Sequence, residues 1–523
     1  MSDITNIDIV SEDYQRFYNF IKTVILPFEP ESHKQYAPFH YKLIYTACEP
    51  MTATAAARGS LKSTILAKYR ALYRLIDPHP DTTPIKPIST LILSATKNLS
   101  KEHLDWIKYN ITDNPHLIAR YGVLSDPNNL KWNEDTIELL NGSKCYALGY
   151  GSQVRGRHPT DIIVDDLESR DNIGTEETLA SLKDWFYREL MGAMLPETRM
   201  TVIGTIVRQG SLLQELVEKE EFNGRIWKAL NDATDEDRVK IPSLIYEGLV
   251  SIWPQRWPVE YLLKRKKALG THKFNAEYQN QPVGLEDPII MAEWIKRHTD
   301  QTLSTFKPVR RYIACDPAFT EEKWGCYSAI IVMDEAPDGV LYERLAWRKK
   351  VAAPELIKTL INFYRHFSAD CPEVRFGIEE VAAQKAVRQS ITELEPTIGA
   401  SIIPLRPDKD KVRRMIDVSR YYEMGLVSLK TESYIDEILN FPHGDLDRCD
   451  AGVYCLKMYE RDHLNQLGEN RVVEVDTLNK LGDNEYELYL NLAAQGMPGY
   501  HVPAKRMRDM IEAYSLMDSL EIM

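Results

Sequence analysis

Apolar residues recur along this chain in two rhythms. Near the start, Tyr14, Phe17, Phe20, Ile21 and Val24 fall at roughly helical spacing, which predicts an amphipathic helix within residues 1 to about 35. From about residue 40 to 210, short continuous apolar runs alternate with helical stretches; examples are Thr90-Leu91-Ile92-Leu93, Asp161-Ile162-Ile163-Val164 and Met200-Thr201-Val202-Ile203. Strands buried on both faces read this way, so the region predicts an α/β unit with a mainly parallel sheet. Pro and Gly break the pattern at Gln279-Asn280-Gln281-Pro282-Val283-Gly284. A second α/β unit follows, with strand runs at Tyr312-Ile313-Ala314-Cys315, Ser328-Ala329-Ile330-Ile331-Val332 and Val374-Arg375-Phe376-Gly377-Ile378. Past about residue 456 the chain turns polar and helical in tendency. The expected organisation is therefore 1–285, 286–456 and an extension over 457–523, without internal repeats.

Bulk properties narrow the class. A chain of 523 residues exceeds one ordinary core and implies two or three domains. With 44% hydrophobic and 27% charged residues it reads as a soluble globular protein. Apolar stretches such as Ile331-Val332-Met333 fall far short of a membrane span. The start, Met1-Ser2-Asp3-Ile4, lacks the basic and apolar regions of a secretory signal. Seven cysteines without a CxxC pair indicate neither a zinc module nor a disulfide framework, and suit a reducing cytoplasm. A net charge of -13 excludes a uniform coat of phosphate-binding residues but not local patches. Lys264-Arg265-Lys266-Lys267 and the stretch Arg406 to Arg414 are such patches, and each reads equally well as a solvated helix face.

The chemistry-bearing residues gather at strand ends. Ala57-Arg58-Gly59-Ser60-Leu61-Lys62-Ser63-Thr64 has the parts of a phosphate-gripping loop. Backbone N–H groups cradle phosphate in such a loop, a lysine (here Lys62) reaches the β/γ-phosphates, and a hydroxyl (here Ser63) takes magnesium. Ala56 and Leu61 replace the two glycines of the common G-x-x-x-x-G-K-[ST] form, and Gly59 sits inside the loop instead. The run Ile162-Ile163-Val164-Asp165-Asp166 reads as a buried strand delivering carboxylates to its C-terminal end. Asp165 suits magnesium, and Asp166 or Glu168 the attacking water. Thr201-Val202-Ile203-Gly204-Thr205 ends in a hydroxyl, Thr205, placed to sense a γ-phosphate or that water.

A second set of acids lies downstream. Asp316 ends one apolar strand and Glu379, followed by Glu380, ends another. Asp445, Asp447 and Asp450 cluster after Phe441-Pro442-His443-Gly444. Three acids drawn from separate segments can hold two magnesium ions ~4 Å apart for an in-line phosphodiester displacement. Magnesium prefers hard oxygen ligands, which explains carboxylates in place of cysteines.

Several of these segments together resemble the large terminase subunit of tailed bacteriophages, over roughly residues 38 to 456. They are the Arg-Gly in a glycine-poor loop, the strand Ile92-Leu93-Ser94-Ala95-Thr96, and Gly151-Ser152-Gln153-Val154-Arg155-Gly156-Arg157 ahead of Asp165-Asp166. The order Asp, Glu, Asp, with Lys411-Val412-Arg413-Arg414 and Gly425-Leu426-Val427 between the last two acids, is similar to that family's ribonuclease-H-like nuclease domain. The resemblance implies a P-loop NTPase domain followed by a ribonuclease-H-like α/β nuclease domain. It casts Arg58 as the arginine that polarises the γ-phosphate, with Arg155 and Arg157 as alternatives acting on a neighbouring subunit's nucleotide. It matches Asp316 and Glu379 to the first and second nuclease acids, and Asp447 to the third, with Asp450 one turn on as partner and Asp445 also open. Pro38-Phe39-His40-Tyr41 either flanks the adenine or belongs to the core.

Two departures stand out: Gly325-Cys326-Tyr327-Ser328 where the family often has another acid, and Asp445-Leu446-Asp447 in place of a paired His-Asp-Asp. The implied cofactors are ATP and magnesium, with manganese as an alternative at the nuclease site. The implied partners are double-stranded DNA, a portal protein and a small terminase subunit. The implied assembly is a homo-oligomeric ring in the host cytoplasm, transiently at the procapsid portal vertex, without membrane and absent from the mature virion. Two rivals stay open: a DNA-dependent ATPase or helicase-like protein with an inactive second domain, and a non-catalytic capsid-associated DNA-binding subunit.

Overall fold

The computed structural model describes residues 12–468 except 31–33, 77–86, 155, 170–171, 285–286, 319–326, 381–384, 408–409 and 445, with side chains described as far as 463. Arg155, Asp445, the Gly325-Cys326 pair and the extension from residue 469 onward lie outside the described residues. Two compact units divide between Ile289 and Ile290, in the segment after the Pro/Gly break.

The first unit is built on a seven-stranded sheet ordered β3-β4-β2-β5-β6-β1-β7. Its strands are β1 (Met51–Ala56), β2 (Ser89–Ser94), β3 (Thr136–Glu138), β4 (Lys144–Gly149), β5 (Asp161–Asp165), β6 (Arg199–Gly204) and β7 (Asn223–Trp227). All neighbours are parallel except β3 with β4. Alternate side chains of the central strands go to opposite faces: Ile92, Ile163 and Ile203 join one core cluster, while Leu91, Leu93, Ile162, Val164 and Val202 join the other. Burial on both faces explains the continuous apolar runs. The N-terminal helix Glu12–Phe20, with its π-turn Ile21–Ile25, buries Phe17, Phe20, Ile21 and Val24 against the first of these clusters. A small antiparallel sheet of β8 (Leu230–Asp232), β9 (Ile245–Tyr246) and β10 (Leu249–Ser251) completes this unit.

The second unit has its own seven-stranded sheet, β11-β17-β14-β13-β12-β15-β16. The strands are β11 (Lys296–Arg297), β12 (Arg310–Asp316), β13 (Ser328–Glu335), β14 (Leu341–Lys349), β15 (Val374–Glu379), β16 (Ile402–Leu405) and β17 (Val427–Leu429). An antiparallel meander, β12 to β14, is extended beside β12 by the parallel strands β15 and β16. The unit is thus α/β on a mixed sheet, in line with the α/β fold expected for it. Helix Ala353–Ser368 covers one face through Leu356 and Leu360. On the same sheet the last described helix, Asp447–Gly468, lies close enough for the Cys455 thiol to donate to the Ile331 carbonyl at 3.5 Å. That helix runs through residue 456, where the sequence pattern placed the start of an extension. Among the described residues, no helix is long and apolar enough to cross a membrane.

Candidate functional site

In the first unit the phosphate-gripping segment leaves β1 and enters a helix that begins with π-turns, Thr64–Tyr69, and continues as Arg70–Ile76. Two residues of the loop adopt left-handed backbone, Gly59 at φ 75° and Leu61 at φ 59°. Leu61 thus takes a conformation that favours glycine, at the position where the common motif has one, and carries strain of about 1–2 kcal/mol. Gly59 suits its left-handed φ, and a Cβ there would also sit tightly against the Trp257 ring at 3.3 Å. Lys62 is buried, and its ammonium donates to the Thr205 hydroxyl at 2.9 Å and the Ala56 carbonyl at 3.2 Å. Ser63 Oγ donates to Asp165 Oδ1 at 2.8 Å.

Sheet order explains these contacts. Strand β6 lies between β1 and β5, so Thr205, just past its end, stands between the loop lysine and the strand-end acids. Asp166 follows β5 with φ 45°, its backbone N–H bonded to the Ile203 carbonyl at 3.0 Å. Burial pushes its pKa up against the charge of Lys62. Glu168 is engaged elsewhere. Its two oxygens accept from the backbone N–H groups of Leu212 (2.6 Å) and Leu213 (2.8 Å), capping helix Leu212–Glu218. One residue that the sequence reading missed joins the site: His103 Nε2 lies 2.8 Å from Asp165 Oδ2. No motif signal pointed to it.

The arginine candidates are placed differently. Arg58 is 75% exposed, with its guanidinium 3.4 Å from Glu277 on helix Thr271–Gln279, and its charge is felt at Asp166. Arg157 lies over the Tyr146 ring at 4.7 Å. Phe39 and His40 are core residues: the His40 ring packs 3.9 Å from Phe39 and 4.5 Å from Trp253, centroid to centroid. Of the two readings of Pro38–Tyr41, the packing of these two side chains is that of core. In the basic patch at Lys264–Lys267, Arg265 donates to the Tyr278 hydroxyl at 2.8 Å.

In the second unit the acids meet at one sheet edge. Strands β12 and β15 are parallel neighbours with Cys315 opposite Ile378, so Asp316 and Glu379 leave the sheet side by side. Burial, a hydrogen bond with Glu379 and that residue's charge push Asp316 up to about 9, with Asp450 adding to the effect and Lys411 opposing it. Tyr454 donates to Glu379 Oε1 at 2.6 Å. Asp450 reaches the group from the first turn of the last helix, held by Arg414 at 2.9 Å and Lys411 at 2.6 Å. Glu380 turns the other way, to Arg388 and Arg406, each at 3.5 Å.

Asp447, the sequence match for the third acid, is placed apart: its Oδ2 lies 3.0 Å from Arg348 Nε. Asp447 and Asp450 are three positions apart, and docking of the helix against β12 and β13 turns only Asp450 toward Asp316 and Glu379. Among the described residues no ready-made group of three metal ligands exists, and Asp450 is paired with Lys411 and Arg414. The donor chemistry nevertheless fits a hard cation. Asp316 and Glu379 set two carboxyls side by side, hard oxygen donors whose mutual repulsion a divalent ion would relieve.

No family model matches the chain, and no curated protein matches it significantly. Solved structures do resemble it. Large terminases are among them. One from a thermophilic bacteriophage, in complex with ADP, has a TM-score of 0.43 at 10% identity, covering 81% of this chain and 99% of that one. The HK97 bacteriophage large terminase gives 0.36 at 12% identity, covering 85% and 99%. The human cytomegalovirus terminase nuclease domain gives 0.26 at 12% identity, covering 32% of this chain and 94% of that domain. At these values the likeness assigns no role to any residue.

Proposed function

We propose that this chain is a DNA-packaging motor subunit, a nucleotide hydrolase whose second unit cuts DNA. One observation carries the reading: a single polypeptide presents Lys62 with the Ser63–Asp165 pair at one strand edge, and Asp316, Glu379 and Asp450 at another. In the first site Lys62 and the loop amides hold the triphosphate, Ser63 and Asp165 hold magnesium, Asp166 orients the attacking water, and Thr205 registers the γ-phosphate through Lys62. Arg58 leaves Glu277 to meet the transferring phosphoryl group. In the second site Asp316, Glu379 and Asp450 hold magnesium or manganese. Bound divalent ions would supply charge neutralisation at the γ-phosphate and an activated water at the phosphodiester.

A nucleic-acid substrate is supported by a groove beside the second site. It has a volume of about 770 Å³, and Arg375, Arg406, Lys457 and Arg461 line it, with Asp462 as the acid among them. Arg375 is paired with Glu373 and Asp462 and Arg406 faces Glu380, so the local excess of cations is small; the groove includes Tyr454, the residue that holds Glu379. Contact through phosphates would be salt-sensitive and largely independent of base sequence. The remaining expectations belong to the same proposal: a homo-oligomeric ring on a portal, a small terminase subunit as partner, and action at the procapsid in the host cytoplasm.

The grip of Lys411 and Arg414 on Asp450 favours a second reading, an ATPase with an inactive nuclease-like unit. A paired assay on purified protein separates them. DNA-stimulated ATP hydrolysis should be lost in Lys62→Ala and kept in Asp316→Ala. Manganese- or magnesium-dependent plasmid cleavage should be lost in Asp316→Ala. If wild type hydrolyses ATP and never cuts, the second reading stands. If both variants match an active wild type, the residue assignments at both sites are wrong.

A further inference from the structure

His103 belongs to helix Lys97–Asp113, which follows β2, and its side chain is buried. Apart from the approach of Nε2 to Asp165 at 2.8 Å, neither ring nitrogen has a hydrogen-bond partner among the described residues. Asp165 is buried as well, and its second oxygen accepts from Ser63. The carboxylate therefore accepts a hydrogen bond from Ser63 on one oxygen, and the imidazole of the helix after β2 sits close against the other. A terminal carboxylate torsion has a broad, shallow profile, so an aspartate beside one hydroxyl alone would turn readily. A ring nitrogen 2.8 Å from the far oxygen restricts that freedom.

We infer that His103 is a positioning residue for the divalent cation that accompanies the nucleotide. It holds Asp165 in the rotation that directs Oδ1 toward Ser63, so that the hydroxyl and the carboxylate face one ion together. The inference rests on the nucleotide reading of the first unit. Outer partners that orient a metal-binding side chain are worth about 10- to 100-fold in metal affinity. His103 stands in that relation to Asp165, with its ion-pair contact to that carboxylate and no hydrogen bond to Lys62 or Ser63 among the described residues.

The test uses the full-length chain, a fluorescent ATP analogue and magnesium chloride. His103→Leu should raise the magnesium concentration that gives half-maximal analogue binding by about 10- to 100-fold, with analogue affinity in EDTA unchanged. His103→Gln, which keeps an N–H donor at similar reach, should recover part of that shift. A purely structural role would move both variants alike and lower the EDTA affinity too. If His103→Leu does not fold, His103→Phe, which keeps a ring without nitrogen, is compared with His103→Gln instead. The inference is overturned if the apolar variant keeps the wild-type magnesium midpoint, or if Gln and the apolar residue shift it equally. A wild type whose analogue binding ignores magnesium overturns the nucleotide reading and the inference together. Magnesium-dependent wild-type binding with a flat response at His103 overturns the inference alone.

Discussion

Replacing Glu168 distinguishes a helix cap from a carboxylate that positions water. Its oxygens accept from Leu212 N–H at 2.6 Å and Leu213 N–H at 2.8 Å, two groups that helix Leu212–Glu218 leaves without internal acceptors. Burial raises its pKa while these N–H groups pull the other way, so the desolvated charge offsets part of the bonding. A hydrogen bond to a charged group contributes about 1.5–3 kcal/mol. After the offset, Glu168→Ala should cost about 2–3 kcal/mol, slightly beyond the usual range for a lost cap. For a unit of this size that lowers Tm by about 3–5 °C. Calorimetric unfolding gives the shift, and the ATPase kcat is measured well below the first transition. Removing a general base would cost about 10²- to 10⁴-fold. The expected result is a lower Tm with kcat reduced by much less than that. A collapse in kcat at unchanged Tm would refute the capping role and return Glu168 to the chemistry.

Two further outcomes follow from the geometry. Asp450→Asn should abolish manganese-dependent plasmid cleavage and weaken manganese binding by calorimetry, whereas Asp447→Asn, which loses a contact with Arg348, should keep most of both; the opposite ranking would make Asp447 the third acid. Burial holds the His40 imidazole down at about 3, with the charge of Arg256 adding to the effect. The unfolded chain takes up a proton below about 6.5 that the folded chain refuses. This contribution to stability is therefore complete above that pH and is lost as the pH falls toward 3, at about 1.4 kcal/mol per unit. Between about pH 7.5 and 5.5, wild type should lose about 1.4 kcal/mol more than His40→Phe in denaturant titrations, and equal losses would show that His40 is protonated in the fold.

Much of the molecule was legible because its signals are local. Continuous apolar runs report burial on both faces of β2, β5 and β6, and candidate site residues stand at the ends of β5 and β6. Asp316 and Glu379 were readable for the same reason, since parallel neighbours present their ends at one edge. Lys62, Ser63 and Asp165 were singled out from motif and strand end alone, and the fold brings Ser63 onto Asp165 and Lys62 onto Thr205. Leu61 was visible only as a missing glycine, and its φ of 59° shows that the turn is kept without one.

Other features depended on docking between distant segments. Asp447 was the better sequence match for the third acid, and the seating of helix Asp447–Gly468 on β12 and β13 instead brings Asp450 near Asp316 and Glu379. Glu168 looked like a water-positioning acid until the start of a helix 44 residues later took both its oxygens. His103 carries no motif; placing β2 next to β5 brings its helix over Asp165. The sequence by itself determined which elements form and which residues stand at their ends, because periodicity and backbone preference act within a few residues. Only the tertiary structure decided which of those residues face one another, because that depends on helix phase and strand order set by long-range packing.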